Sequence, residues 1–218
     1  MKKTVYIYGA FERFWHWTQA ALIFALGFTG FEIHGSYQFL GYEQAVSLHN
    51  AAAIGLLLLV TVAAFWHLTT GQWKQYIPTR KLLRDQAAFY LTGIFRDAPH
   101  PTRKTVISKL NPLQRLAYLG LKLLVIPTMG ISGLFYMFFR YPQRHEWTTV
   151  SPHGLSTVAA IHVAGAFALT AFVIGHVYLT TTGSTPVSNL KAMLTGYEEL
   201  DSGAGEEPEP AIPEGVHP

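Results

Sequence analysis

The sequence contains no cysteine. That excludes disulfides, cysteine-ligated iron–sulfur clusters, thiolate catalysis and covalently attached c-type heme. It is also poor in charge. Asp, Glu, Lys and Arg make up 13% of the 218 residues, about half of the roughly 25% found in an ordinary soluble domain. The deficit is uneven: segments 14–31, 44–73, 123–139 and 147–190 carry none of these four residue types. About 20 apolar residues span a bilayer, so four such windows exclude a soluble globular enzyme and predict an integral membrane protein. Gly-rich phosphate loops, HExxH and a Ser–His–Asp order are also lacking, which removes the commonest catalytic signatures.

What is present fits that class. Aromatic residues reach 14%, suited to interfacial belts and to packing against a flat cofactor. The sequence pI near 9.1 reads as loops that meet lipid headgroups, not as nucleic-acid binding. The charge-free windows predict an all-α, four-helix membrane bundle with spans at 14–33, 47–70, 114–138 and 156–182. Met1, Lys2 and Lys3 ahead of an apolar helix resemble the start of a signal peptide. The polar start runs to Arg13 and no small-residue cleavage site follows, so the first helix is read as a retained span.

Charge sets the expected orientation. Lys2, Lys3 and Arg13 precede the first span. Lys74, Arg80, Lys81, Arg84, Arg96, Arg103, Lys104 and Lys109 fill the long 71–113 loop. Of the loops on the other side, the one at 139–155 holds Arg140 and Arg144. The positive-inside rule puts both termini and the long loop in the cytoplasm of a bacterial inner membrane. Within that loop Leu83, Ala87, Tyr90, Leu91, Ile94 and Phe95 recur at helical spacing. They predict an amphipathic helix on the inner membrane surface, with Thr79 as its N-cap. After residue 201 the chain is acidic and Pro-rich, and 202–218 reads as a disordered tail beyond a 1–201 domain.

Ten histidines carry the chemistry, because an ionisable residue inside a span is a functional hypothesis by default. His162 and His176 lie fourteen residues apart in the last span. That is about 40° short of four full turns, so both share a face, about 21 Å apart along the axis. The separation is too long for one metal and suits two cofactors, one near each surface. His49 opens the second span level with His162, and His16 opens the first level with His176. Two His–His pairs at two depths, without cysteine, describe two bis-histidine b-type hemes. Ala51, Ala52, Ala53 and Gly55, and Ala164, Gly165 and Ala166, offer clearance beside the ligands. His67 shares the face of His49 five turns on; three roles stay open for it, replacing His16, lining a quinone pocket, or anchoring at the interface. His34 at the outer end of the first span and Arg13 at the inner end are candidate quinone or propionate contacts, as Arg140 and Arg144 are for propionates. His100, His145, His153 and His217 read as solvent-facing.

At this point motifs agree with a family. Arg13-Phe14-Trp15-His16-Trp17, Leu48-His49-Asn50, Phe65-Trp66-His67, Asn111-Pro112-Leu113-Gln114-Arg115, Ile161-His162 and Gly175-His176-Val177-Tyr178 resemble the spans of bacterial respiratory diheme cytochrome b subunits. These include formate dehydrogenase gamma, nickel–iron hydrogenase cytochrome b and thiosulfate reductase cytochrome b. Gly71-Gln72-Trp73-Lys74-Gln75-Tyr76-Ile77-Pro78, and the stretch from Thr181 to Glu199, are most similar to the thiosulfate reductase branch. The resemblance covers about residues 5–199. It implies His49 and His162 on a periplasmic-side heme, His16 and His176 on a cytoplasmic-side heme, and a quinone (menaquinone or ubiquinone) near the inner one. It further implies a periplasmic redox partner, iron–sulfur or multiheme c-type, within a quinone-linked respiratory complex, with quinol oxidation and outward electron flow. Two rival readings stay open: a stand-alone quinone-reactive cytochrome, and a heme-free membrane anchor or proton-path bundle.

Overall fold

A computed structural model describes residues 2–79, 82–96, 98, 101–102, 109–144 and 152–201. Arg80, Lys81, His100, Arg103, Lys104, His145, His217 and the acidic tail lie outside the described residues, as do the side chains of Ile94, Arg140, Arg144 and His153. The chain is mainly helical. In order it forms β1 (Lys2–Tyr6), α1 (Ala10–Ile33), α2 (Tyr42–Thr69), a 3-10 turn (Gln72–Tyr76), α3 (Leu83–Leu91), a second 3-10 turn (Gly93–Arg96), α4 (Pro112–Gly120), a π turn (Leu121–Val125), α5 (Ile126–Arg144), α6 (Pro152–Thr180), α7 (Ser188–Thr195) and β2 (Tyr197–Asp201). Three helical stretches, Tyr42–Thr69, Pro112–Phe138 and Gly154–Thr180, are long and apolar enough to cross a membrane among the described residues. The fourth expected span falls on α1, 24 residues long and packed chiefly on α2.

Local chemistry explains the boundaries. The Asn111 to Gln114 stretch is a capping box. Gln114 N–H donates to Asn111 Oδ1 at 2.8 Å, Asn111 N–H donates back to Gln114 Oε1 at 3.1 Å, and Pro112 takes the first helical position. Such a box satisfies two donors that a helix start leaves orphaned. α4 runs through the π turn into α5 as one continuous helix. Pro127 follows directly; it has no N–H to give to the carbonyl four residues back, and its ring crowds that carbonyl. A widened turn at 121–125 relieves both.

The helices pair as two hairpins, α1 on α2 and α5 on α6, with α2 touching α5. Outward faces are strongly apolar. Leu58, Phe65, Leu68, Leu123, Leu124 and Ile174 are each at least 65% exposed. In water such a surface would drive aggregation; against lipid tails it carries no penalty.

Two features depart from the sequence reading. The first is a two-stranded antiparallel sheet, Lys3 opposite Leu200 and Tyr6 opposite Tyr197, which brings the two ends of the bundle's chain together. Gly196 permits it: its φ is +88° and an added Cβ would stand 2.8 Å from Tyr8 O. The second is the loop helix. Its N-cap is Leu82, in the left-handed region at φ 58°, and not Thr79. Its buried residue is Gln86, whose Oε1 accepts from Thr102 Oγ1 at 2.8 Å, while Leu91 and Phe95 are exposed. Tyr90 turns inward and its hydroxyl accepts from Asn111 Nδ2 at 3.0 Å. α3 therefore packs on α4 by polar contacts and leaves apolar side chains outward.

Candidate functional site

Four of the histidines meet as two facing pairs. His49 of α2 faces His162 of α6 with ring centroids 6.4 Å apart. His16 of α1 faces His176 of α6 with centroids 6.1 Å apart. An imidazole nitrogen binds a transition metal at about 2.0 Å, and the ring centre lies roughly 1.2 Å behind it, so the centres of collinear imidazoles on one ion stand ~6.4 Å apart. Both pairs have that spacing. No cluster of three or more His, Asp or Glu suited to a metal occurs among the described residues.

The first pair is held by matching devices on the two hairpins. Thr29 Oγ1 donates to Ala25 O at 2.7 Å and lies 2.9 Å from His49 Nδ1. Ser132 Oγ donates to Thr128 O at 2.6 Å and lies 2.9 Å from His162 Nδ1. Each hydroxyl has spent its proton on a carbonyl, so each accepts Nδ1–H and leaves the Nε2 lone pair for a metal. A glycine follows each hydroxyl. A Cβ at Gly30 would stand 3.4 Å from His49 Cε1, and one at Gly133 would stand 3.3 Å from His162 Cε1. Hydroxyl-then-glycine on one helix thus seats the histidine of its neighbour, once in each hairpin.

The second pair is less symmetric. Tyr118 OH lies 3.1 Å from His176 Nδ1, and Phe172 stacks on the His176 ring at 5.9 Å and 6°. His16 Nδ1 is buried without a hydrogen-bond partner among the described residues, and so are Arg13 Nε and Trp15 Nε1. Arg13 and Trp15 offer N–H donors here and His16 an unmatched ring nitrogen. Buried donors are nearly always paired, so this cluster calls for acceptors beyond those the described residues bring. Arg13 Nη1 meanwhile donates to Leu194 O at 2.7 Å, and Trp17 Nε1 to Met193 O at 3.1 Å. These two bonds lay α7 across the first turns of α1.

His67 is buried, and both of its ring nitrogens are engaged by protein. Nδ1 donates to Ala63 O at 2.6 Å, and Nε2 accepts from Tyr76 OH at 3.2 Å. Its ring neighbours are Trp15, Trp66 and Tyr76, not a histidine, which disfavours its replacing His16. Beside it Lys122 enters from the π turn, its ammonium 3.4 Å from the Tyr76 ring centre and 5.8 Å from that of Trp15. No ion pair of Lys122 occurs among the described residues. Sequence reasoning passes over Lys122, Tyr76 and Tyr118; the one signal available was a lysine within the third apolar span. His34 caps the far end of α1, exposed, its N–H donating to Gly30 O at 2.9 Å.

Comparison with known proteins places the chain in a family. Residues 7–196 match the family model described as prokaryotic cytochrome b561. The chain is 33% identical over 202 residues to the putative cytochrome YdhU of Escherichia coli (strain K12), covering 88% of this chain and 74% of that protein. No solved structure matches it. The family implies b-type heme and an electron-transfer role in a membrane. With the match running from just past β1 to the end of α7, the chain belongs to the prokaryotic cytochrome b561 family.

Proposed function

We propose that the chain is the membrane diheme cytochrome b subunit of a respiratory complex. It passes electrons between the quinone pool and a periplasmic redox subunit through two b hemes, held by His49 with His162 and by His16 with His176. The observation that carries this reading is the pair of 6.4 Å and 6.1 Å ring separations. The unpartnered Arg13, Trp15 and His16 nitrogens support it further, because propionates and quinone carbonyls are acceptors. A b heme supplies a one-electron carrier when bound. The chain's own part is to orient the imidazoles through Thr29, Ser132 and Tyr118 and to keep water out.

The inner quinone site of this reading lies beside His67, Tyr76 and Lys122. The Lys122 ammonium is a donor for a quinone oxygen. Tyr76 OH donates to His67 Nε2 at 3.2 Å, so a quinol proton accepted by the Tyr76 oxygen can be handed on to His67. Four crossings, with both termini and that loop cytoplasmic in the inner membrane, suit the pairing of β1 with β2 at one end. The domain is 1–201, followed by the acidic tail. The resemblance to the thiosulfate reductase branch favours quinol oxidation with electrons leaving outward.

The full chain, purified in detergent from cells with ample heme supply, is assayed by its dithionite-reduced minus oxidised spectrum and by pyridine hemochrome. Two b hemes per chain are expected, falling to one in His49→Ala or His176→Ala. A colourless preparation would overturn the reading in favour of a heme-free anchor or proton path.

A further inference from the structure

Among the described residues, the inner cluster is one of two places where a buried side-chain polar atom lacks a partner; the other is at the opposite end of α1. Glu32 stands one turn, about 4.5 Å of rise, beyond Thr29 and is 5% exposed. Its Oε1 accepts three successive backbone N–H groups, from Phe39 at 2.8 Å, Leu40 at 2.7 Å and Gly41 at 2.8 Å. Gly41 is the N-cap of α2, so this oxygen also sits at the positive end of a 28-residue helix. The carboxylate charge is compensated there. Its Oε2 is buried with no hydrogen-bond partner among the described residues.

Glu32 lines a cavity of about 390 Å³ together with Gly35, Tyr37, Gln38 and Tyr42. The rim is aromatic. Phe28 packs against Tyr37 and Phe39 at 5.3 and 5.8 Å, and Phe39 and Tyr42 are exposed. Rings at the end of a span mark the membrane–water boundary.

We infer that this cavity binds the headgroup of a hydroquinone, one ring hydroxyl donating to Glu32 Oε2, the ring against the aromatic rim and its tail in the lipid. The chemistry selects among ligands. An anion is repelled by the carboxylate. A cation gains little, because three amides and a helix terminus already balance the charge. What Oε2 lacks is one neutral donor, and the lipid-level aromatic rim selects a donor carried on an apolar ring. Entry turns aside the exposed Tyr42. The ring then lies one helical turn from Thr29, the residue that seats His49. This is a second site, at the end of the bundle opposite the His67 cluster. It rests on the reading of the chain as quinone-reactive.

The test titrates the full chain in lipid nanodiscs with 2-heptyl-4-hydroxyquinoline N-oxide, a fluorescent hydroxyl-bearing quinol analogue, and counts bound copies. Wild type is expected to bind two. Glu32→Gln keeps a carbonyl oxygen for the three amides and turns the Oε2 position into a donor; it is expected to bind one, the other weakened at least about tenfold. Tyr42→Trp narrows the mouth without touching the amides, and gives the same result if Glu32→Gln does not accumulate. His67→Ala is expected to lose the inner copy and keep this one. Unchanged count and affinity in Glu32→Gln or Tyr42→Trp would overturn the inference, as would loss of both copies in His67→Ala. Heme content of the same samples separates the two proposals: wild type without heme sinks the diheme reading, whereas normal heme with unaltered binding in Glu32→Gln sinks this one.

Discussion

The Thr29 hydroxyl stands 2.9 Å from His49 Nδ1 and donates its own proton to Ala25 O. The direction of both bonds follows: His49 carries its hydrogen on Nδ1 and keeps a bare Nε2, in a ring whose centre lies 6.4 Å from that of His162. Thr29→Val keeps the shape and removes the acceptor. Leaving Nδ1–H buried and unmatched costs about 1–3 kcal/mol, and loss of such a partner weakens metal binding by roughly 10–100-fold. The expected result is a heme content nearer one than two by pyridine hemochrome, with Ser132→Ala producing the same deficit from the His162 side. Full heme retention in both variants would refute the orienting role.

The glycines behind those hydroxyls give a graded prediction. At Gly133 a Cβ meets His162 Cε1 at 3.3 Å, so Ala asks the ring to yield by a few tenths of an ångström. A branched side chain puts carbon into the ring's own space. Gly133→Ala is expected to keep both hemes with a shifted potential. Gly133→Val is expected to lose the heme of this pair while the inner pair keeps its spectrum. Low-temperature difference spectra that resolve the two hemes check it.

The parts of this arrangement legible in sequence are those that depend on period and charge. Fourteen residues between His162 and His176 place both on one face of any straight helix, and charge-free windows locate the spans. The illegible parts depend on what a neighbouring helix brings. Lys122 is passed over in the sequence as a single lysine inside the 114–138 span, yet from the π turn at 121–125 its ammonium reaches 3.4 Å from the Tyr76 ring centre. Glu32 draws no reading from the sequence, because its three amide partners lie seven to nine residues on. Thr79 has the chemistry of a cap, but the helix begins past Leu82, where no side chain caps it. The Asn111 to Gln114 motif, which the family resemblance places at the opening of the third span, serves visibly as a capping box.

Glu12 ties the long loop to the start of α1. It pairs with Lys109 at 2.7 Å, the two side chains only 16% and 10% exposed, and also accepts Gly9 N–H at 2.7 Å. Breaking a mostly buried pair strands the other charge and costs about 3–5 kcal/mol in full burial, less at this partial exposure. Glu12→Gln is expected to lower the detergent-solubilised melting temperature by several degrees, and Glu12→Gln with Lys109→Met to recover part of the loss. A melting temperature equal to wild type would rule out a stabilising role for the pair.

Tyr76 gives a pH dependence of known sign. Burial, reinforced by the charges of Tyr118 and Glu12, pushes its phenol above the ordinary value of 10.0. The folded chain therefore holds this proton more tightly than the unfolded chain. Stability from that difference is complete below pH 10 and is lost as pH rises toward the folded value, at up to about 1.4 kcal/mol per pH unit. Melting temperatures measured from about pH 9 to about pH 11 should fall less steeply in Tyr76→Phe than in wild type. Parallel slopes would show that the phenol is not held in the neutral form by the fold.

Lys122 stands over Tyr76 and Trp15 within an apolar span, a position in which a charge is costly and marks function. If it donates to a quinone oxygen, its loss should slow quinol oxidation without disturbing either histidine pair. Lys122→Met is expected to reduce the rate of decylubiquinol oxidation by about tenfold or more, with heme content and difference spectrum unchanged. Lys122→Arg keeps a donor and a charge, and should restore part of the rate. A normal rate in Lys122→Met would remove the ammonium from the quinone site. A loss of heme in the same variant would instead make it a partner of the inner propionates, a role that the unpartnered Arg13 and Trp15 nitrogens nearby equally invite.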